Sequence, residues 1–274
     1  MNTKNIKLAI VATLFLLTVN LTAQETITIP LSNPAKVGTL KIGIINGSIT
    51  VKGTTGKEVI VKGIKSERRS RTNHRRNGKA SKDGLKRISN TSLEFSAQEY
   101  DNVVRVKGSP NATTDFEIQV PKNFSLKLST VNRGDIYVEN VNGTIDITNT
   151  NGKITLKDIS GSVSANTVNR DITVNFINVT PNVAMAFSSL NGDIDITFPK
   201  TIKANVKVKS DRGEIYTDFD LKAKPSKAKV TKGESKKGNA YSVKVEKWIT
   251  GAINGGGAEI LFKSYHGDVI IRSN

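Results

Sequence analysis

No cysteine occurs in the 274 residues. Disulfides, thiol catalysis and cysteine metal sites are therefore excluded, and so is lipid attachment at an N-terminal cysteine, which removes a bacterial lipoprotein. A chain of this length can bury a real core without such staples. Aromatic residues are scarce at 5%, with a single tryptophan, Trp248. No apolar run reaches the roughly 20 residues that a membrane-spanning helix needs. No proline lies between Pro121 and Pro181, as expected for strands whose backbone groups are all paired.

The one long apolar run, Leu8 to Val19, is broken only by Thr13 and Thr18. Lys4 and Lys7 precede it and Leu21-Thr22-Ala23 follows. This is the charged, apolar, small-residue order of a secretory signal peptide. The expectation is a signal peptide over residues 1–23, cleavage after Ala23, and an exported, soluble mature chain of residues 24–274 in the periplasm, at the cell surface or in the medium.

What is abundant is a nine-residue beat. It reads Arg133-Gly134-Asp135-Ile136, Asn142-Gly143-Thr144-Ile145, Asn151-Gly152-Lys153-Ile154, Ser160-Gly161-Ser162-Val163 and Asn169-Arg170-Asp171-Ile172. A fixed period marks a repeat architecture in which each unit buries its apolar face against its neighbours. After each turn the apolar residues fall two apart, as in Ile136 and Val138, Ile145 and Ile147, Ile154 and Leu156, Ile172 and Val174. These point inward, with Asp135, Tyr137, Asp146, Thr155 and Thr173 outward. Alternate units resemble one another most closely. The fold class is therefore an all-β, single-domain β-solenoid with about 18 residues and two short strands per coil. The Asn-Gly pairs favour positive φ at the turns. Asn46-Gly47 reads as a hairpin-type turn between Leu40–Ile44 and Ile49–Val51.

Two stretches break the period. A basic loop at 66–87 is an irregular insertion, and Lys62 to Arg87 carries eleven Lys or Arg against Glu67 and Asp83. A Lys-rich loop at 222–240 is the second and reads as a hairpin or loop leading into Tyr241 to Val245.

The run Phe116-Glu117-Ile118-Gln119-Val120-Pro121-Lys122, followed by Leu126-Lys127-Leu128 and the Gly-Asp-Ile beats, resembles the bacterial "putative adhesin" family over roughly residues 36 to 272. The resemblance implies an exported β-solenoid whose function is generally undefined. Arg170 departs from it, standing where the beat has glycine, so that turn either does without positive φ or carries strain.

For chemistry, the basic stretch offers Arg68, Arg69, Arg71, Arg75, Arg76, Lys79, Lys82, Lys86 and Arg87 as anion-binding residues, set against a merely solubilising loop. Arginine forks suit phosphate and carboxylate groups. An exported protein meets acidic glycans, lipopolysaccharide phosphates, anionic lipids or released DNA. Sequence-specific nucleic-acid reading is not expected, because no recognised motif or aromatic platform accompanies the charge. Aligning residues after the turn glycine puts Asp171, Asp193 and Glu214 in a row with Asp195 nearby. That row is a solvated acidic face or a site for a hard cation such as calcium. Arg133-Gly134-Asp135 reads as one beat among many. His74 and His266 read as solvated surface residues, since two distant histidines without cysteine make a poor metal or catalytic set. Acid and base carboxylates about 5–9.5 Å apart would suit glycoside cleavage, but recurring Asp-x-Ile patterns single none out. The expectation is a non-enzymatic surface or envelope binding scaffold, with no catalytic residue and no cofactor. A protein-interaction scaffold is the alternative, and a carbohydrate-active β-helix enzyme comes third.

Overall fold

The computed structural model describes residues 24–66, 81–82, 85–86, 93–132, 134–225, 229–235, 238–244 and 248–274. In chain order the strands begin with β1 (Gln24–Pro30), β2 (Gly38–Asn46), β3 (Ile49–Thr54), β4 (Glu58–Lys65), β5 (Ser81–Lys82), β6 (Leu85–Lys86), β7 (Phe95–Tyr100) and β8 (Val103–Gly108). Next come β9 (Thr114–Pro121), β10 (Phe124–Asn132), β11 (Ile136–Glu139), β12 (Asn142–Asn149), β13 (Ile154–Asn169), β14 (Ile172–Val179), β15 (Met185–Asn191) and β16 (Ile194–Phe198). The last are β17 (Ala204–Ser210), β18 (Ile215–Thr217), β19 (Lys224–Pro225), β20 (Lys229–Ser235), β21 (Gly238–Lys244), β22 (Ile249–Ile253), β23 (Ala258–His266) and β24 (Val269–Ser273). No helix occurs among the described residues, so none there is long and apolar enough to cross a membrane.

Twenty of these strands form one sheet, folded into a β-solenoid with a front and a back face. Along the front, β8, β2, β10, β12, the second half of β13, β15, β23 and β17 stack in parallel. Along the back, β9, β3, β11, the first half of β13, β14, β16, β24 and β18 do the same. Antiparallel strands close the ends: β7 on β8, and β4 then β1 on β9, at one end; β22 then β19 on β17 at the other.

The expected two-strand coil is present in the middle of the stack. Ile136 lies opposite Ile154, and Ile154 opposite Ile172, in steps of 18 residues. The step is 19 between β10 and β12 and 22 between β14 and β16. Alternation fixes what is buried. Ile49, Ile136, Ile154, Ile172, Ile194 and Val269 form one fully buried column of the back sheet. Phenylalanines fill the wider coils, with Phe176 stacked on Phe198 and Phe187 on Phe262 at centroid distances of 5.1 and 5.4 Å.

The structure adds to or departs from the sequence reading at three points. Asn46-Gly47 is not a hairpin turn: β2 and β3 pair with different strands, on opposite faces, because each buries its apolar side against the other across the core. Chain order is also not axial order. β8 and β9 lie outside β2 and β3, and β23 and β24 are wedged between the coil of β15 and β16 and that of β17 and β18. Finally, the expected positive φ holds at Gly47, Gly161, Gly192 and Gly267 but not throughout the beat. Gly134, Gly143 and Gly152 have ordinary φ, but a Cβ at Gly134 would run into the carbonyl oxygen of Gly47, and one at Gly152 into that of Gly134. At these glycines the stacked turns approach too closely for a side chain. Arg170 does adopt positive φ, at 115°.

The Lys-rich stretch does hold a hairpin, β20 with β21, closing at Ser235 opposite Gly238. The residues of the signal segment lie outside the described residues.

Candidate functional site

One turn edge of the solenoid uses up most of the polar side chains that looked chemical in the sequence. Inward Thr130, Asn149, Thr167, Ser189, Ser264 and Ser210 each donate to the carbonyl of the glycine-position residue one coil away, at 2.9–3.4 Å. Just outside, carboxylates do the converse. Asp115 accepts the Ser48 N–H, Asp135 that of Lys153, Asp171 that of Asp193, Asp193 that of Asp268, and Asp268 that of Glu214, at 2.8–3.2 Å. A third file runs along asparagines: Asn151 donates to Asn132, Asn169 to Asn151 and Asn191 to Asn169.

These files place the cation candidates. Asp171 also meets Lys153 Nζ at 3.2 Å, and Asp195 is held by Arg272 through two bonds of 2.8 and 3.1 Å. Asp268 stands between Asp193 and Glu214, which corrects the row read from sequence: the wedge of β23 and β24 inserts a residue whose number gives no hint of it. No group of three metal-ligating side chains occurs among the described residues. Asp135 of the Arg-Gly-Asp triplet is one of the amide acceptors; Arg133 lies outside the described residues. His266 is not a free surface residue. Its Nδ1 donates to Asn191 Oδ1 at 3.1 Å and its Nε2 accepts from Arg212 Nη1 at 2.9 Å, a tautomer required because guanidinium cannot accept. His74 lies outside the described residues.

The front face carries a different arrangement. Arg105 lies opposite Lys41 and Lys41 opposite Lys127, three cations on adjacent strands about 4.8 Å apart. The row meets its first acid at Asp146, 3.4 Å from Lys127 Nζ. Among the described residues, Arg105, Lys41 and nearby Lys107 have no ion-pair partner. Beside the row run Gly43, Ser129 and Thr148, opposite one another on β2, β10 and β12. A Cβ at Gly43 would come within 2.8 Å of Ser129 Oγ, so the missing side chain lowers the floor. The result is a shallow trough of about 330 Å³ with one basic wall.

Like charges directly opposite one another destabilise a sheet, so such a row counts against stability. The back face shows the ordinary alternative. There Lys52 and Lys157 flank Glu139 at 3.4 and 3.3 Å, Lys62 meets Glu117 at 3.1 Å, and Lys157 above all holds the Glu139 carboxyl below its usual range. At the far end of the front face an open groove of about 760 Å³ mixes Lys207, Lys222 and Lys224 with Asp220 and Glu259, so its charges offset. Trp248 there is covered by Lys207 Nζ, 4.8 Å from its ring centroid.

Of the anion-binding residues expected from sequence, Arg68, Arg69, Arg71, Arg75, Arg76, Lys79 and Arg87 lie outside the described residues. Lys82 and Lys86 belong to the short pair β5 and β6. The loop's anchors are described. It departs after Ser66, whose N–H donates to Thr113 O, and returns into β7, which pairs with β8 beside Arg105 and Lys107. The loop's anchors and the trough therefore share one end of the solenoid. Sequence reasoning missed Arg105, Lys41 and Lys127. Their signal was a shared apolar-basic-apolar triplet: Val104-Arg105-Val106, Leu40-Lys41-Ile42 and Leu126-Lys127-Leu128.

A family model described as Toastrack DUF4097, a domain of unknown function, matches residues 5–247. No curated protein matches the chain. Two solved structures are similar to it. One, described as a putative cell adhesion protein from Clostridium sporogenes ATCC 15579, is 15% identical, with 92% of this chain and 100% of that chain covered at a TM-score of 0.44. The other, a putative adhesin from Bacteroides fragilis NCTC 9343, is 10% identical, with 92% and 97% covered at a TM-score of 0.29.

Proposed function

The chain belongs to the Toastrack DUF4097 family, and on that premise we propose that it is an exported, non-enzymatic binding scaffold of the cell envelope or surface that holds an anionic polymer along its front face. The observation that carries this reading is the file Arg105–Lys41–Lys127, three adjacent cations answered by a single acid, Asp146, on a face whose reverse side pairs its lysines with Glu139 and Glu117. A polymer lying along the solenoid axis meets one cation on each of three adjacent strands, so a chain bearing a carboxylate or phosphate on each unit gains a contact at each of them. The trough is shallow and open at the ends, which suits a strand of polymer better than a small molecule. The basic loop, tethered at the same end, supplies a second contact to the same ligand. Export is supported by the signal-like order of residues 1–23. The non-enzymatic reading is supported by the turn-edge carboxylates, which are occupied with backbone amides.

Heparin and lipopolysaccharide columns test it. The triple variant Lys41→Gln, Arg105→Gln, Lys127→Gln is expected to bind on the order of tenfold more weakly and to elute at lower salt. The back-face triple Lys52→Gln, Lys62→Gln, Lys157→Gln removes the same net charge and is expected to elute with the unaltered protein. Equal weakening by both triples reduces the effect to net charge and sinks the trough. Retention that survives deletion of residues 67–91 removes the loop from the mechanism.

A further inference from the structure

The C-terminal strands occupy an interior position in the stack. β23 pairs with β15 on one side and β17 on the other, and β24 pairs with β16 and β18, all in parallel. Ile260, Phe262, Val269 and Ile271 are buried between the two flanking coils. Without them, the apolar residues of both neighbours would face an empty slot one coil wide. The slot also carries its own pattern of polar partners. It presents Gly192 O to Ser264 Oγ, Asn191 Oδ1 to His266 Nδ1, Asp193 Oδ1 to the Asp268 N–H, and Asp195 to the Arg272 guanidinium. No generic strand satisfies all four, but another copy of the same segment does.

On its N-terminal side the segment joins the rest of the fold through a single glycine-rich tether. The tether is the turn Asn254-Gly255-Gly256-Gly257, where Asn254, Gly255 and Gly256 have φ of 48°, 86° and 86°. Asn254 Nδ2 holds this turn by donating to Lys200 O and Ile202 O at 2.8 Å each. A segment that is internal in space, specific in its contacts and hinged over glycines has what exchange between subunits requires.

We infer that Ala258–Asn274 is an exchangeable coil: a second copy of this chain supplies it in trans, producing a reciprocal dimer in which each slot is filled by the partner's segment. The inference does not depend on the ligand reading. The chain has no cysteine, so an engineered pair reports cleanly. Ser188 and Lys263 face outward on neighbouring strands and lie opposite one another, at a spacing within disulfide reach.

Ser188→Cys protein is mixed with Lys263→Cys protein at high concentration, warmed to just below unfolding, cooled and oxidised. A disulfide between positions 188 and 263 joining two chains is expected, several-fold above any dimer from either variant alone and identified by peptide mass. The double variant Ser188→Cys, Lys263→Cys, oxidised before warming, is expected to close within one chain and no longer exchange. Deleting Gly255 and Gly256 shortens the tether, and a short strained hinge favours swapping, so the dimer fraction on size exclusion is expected to rise about tenfold or more with an unchanged strand spectrum. The inference fails if the mixed variants give no interchain 188–263 link while the double variant closes internally. It fails equally if the double variant does not close, because the segment then does not occupy the slot. A shortened tether that folds and stays monomeric also overturns it.

Discussion

Arg170 occupies a place where the stacked turns above and below carry Gly192 and Gly152, and its φ is 115°. That angle lies beyond the small left-handed well open to residues with a Cβ, and holding such a residue there costs about 1–3 kcal/mol. Its side chain is exposed, and no hydrogen bond or ion pair of its guanidinium is present among the described residues. Its backbone N–H and C=O serve Asn191 O and Ser189 Oγ and would do so with any residue. Arg170→Gly should therefore relieve the strain and lose only the extra freedom that glycine gives the unfolded chain, about 0.4–1 kcal/mol. The net expectation is a stabilisation of about 0.5–2 kcal/mol, which for a chain of this size raises Tm by roughly 1–8 °C. Urea unfolding followed by far-ultraviolet circular dichroism measures it, as a higher midpoint at unchanged slope. The matched control is Gly192→Ala, where φ is 157° and an added Cβ meets Arg170 O; it should destabilise. An Arg170→Gly protein with a midpoint equal to or below that of the unaltered chain would refute the strain argument and would mean that the arginine makes a stabilising contact.

Two further outcomes follow from the same packing. Gly134→Ala drives a Cβ into the backbone carbonyl of Gly47, which cannot swing away, and is expected to cost about 1–3 kcal/mol or more; Gly56→Ala, which meets only the Thr54 hydroxyl at 3.2 Å, should stay within about 0.5 kcal/mol of the unaltered chain. Glu99 accepts from the Ser32 hydroxyl, the Ser32 N–H and the Asn102 N–H, which hold its carboxyl below the ordinary value of 4.5. A depressed folded value adds stability that is present above the unfolded value and disappears as pH falls through the folded one. Glu99→Gln should accordingly lower the urea midpoint at pH 7 and converge with the unaltered chain in strong acid; a gap that persists there would assign the effect to packing.

The parts of the fold written locally were legible. Period-two pairs such as Ile136 and Val138 or Ile172 and Val174 are inward in the structure as read from sequence, because a strand's alternation needs only its own residues. Pairing across the axis was not legible. Leu126 lies on Leu40, and Ile260 on Met185, 75 residues away, and nothing in the chain between them announces the partner. The same gap hid Asp268 from the acidic file. It also hid the basic trough, whose three cations come from β8, β2 and β10 and become a row only once those strands are side by side. The glycine beat was visible but its second cause was not: a turn that needs positive φ and a turn crowded by the carbonyl of the next coil call for the same residue.

The wedged position of β23 and β24 has a mechanical consequence. A strand at the end of a stack peels away one ladder at a time, from one side. A pull applied at Asn274 enters between coils, where both strands of the segment are flanked on two sides, so four parallel ladders resist it in shear together. β1, by contrast, pairs only with β4. The two places are therefore unequal grips: under tension β1 unzips along one ladder while β23 and β24 still hold.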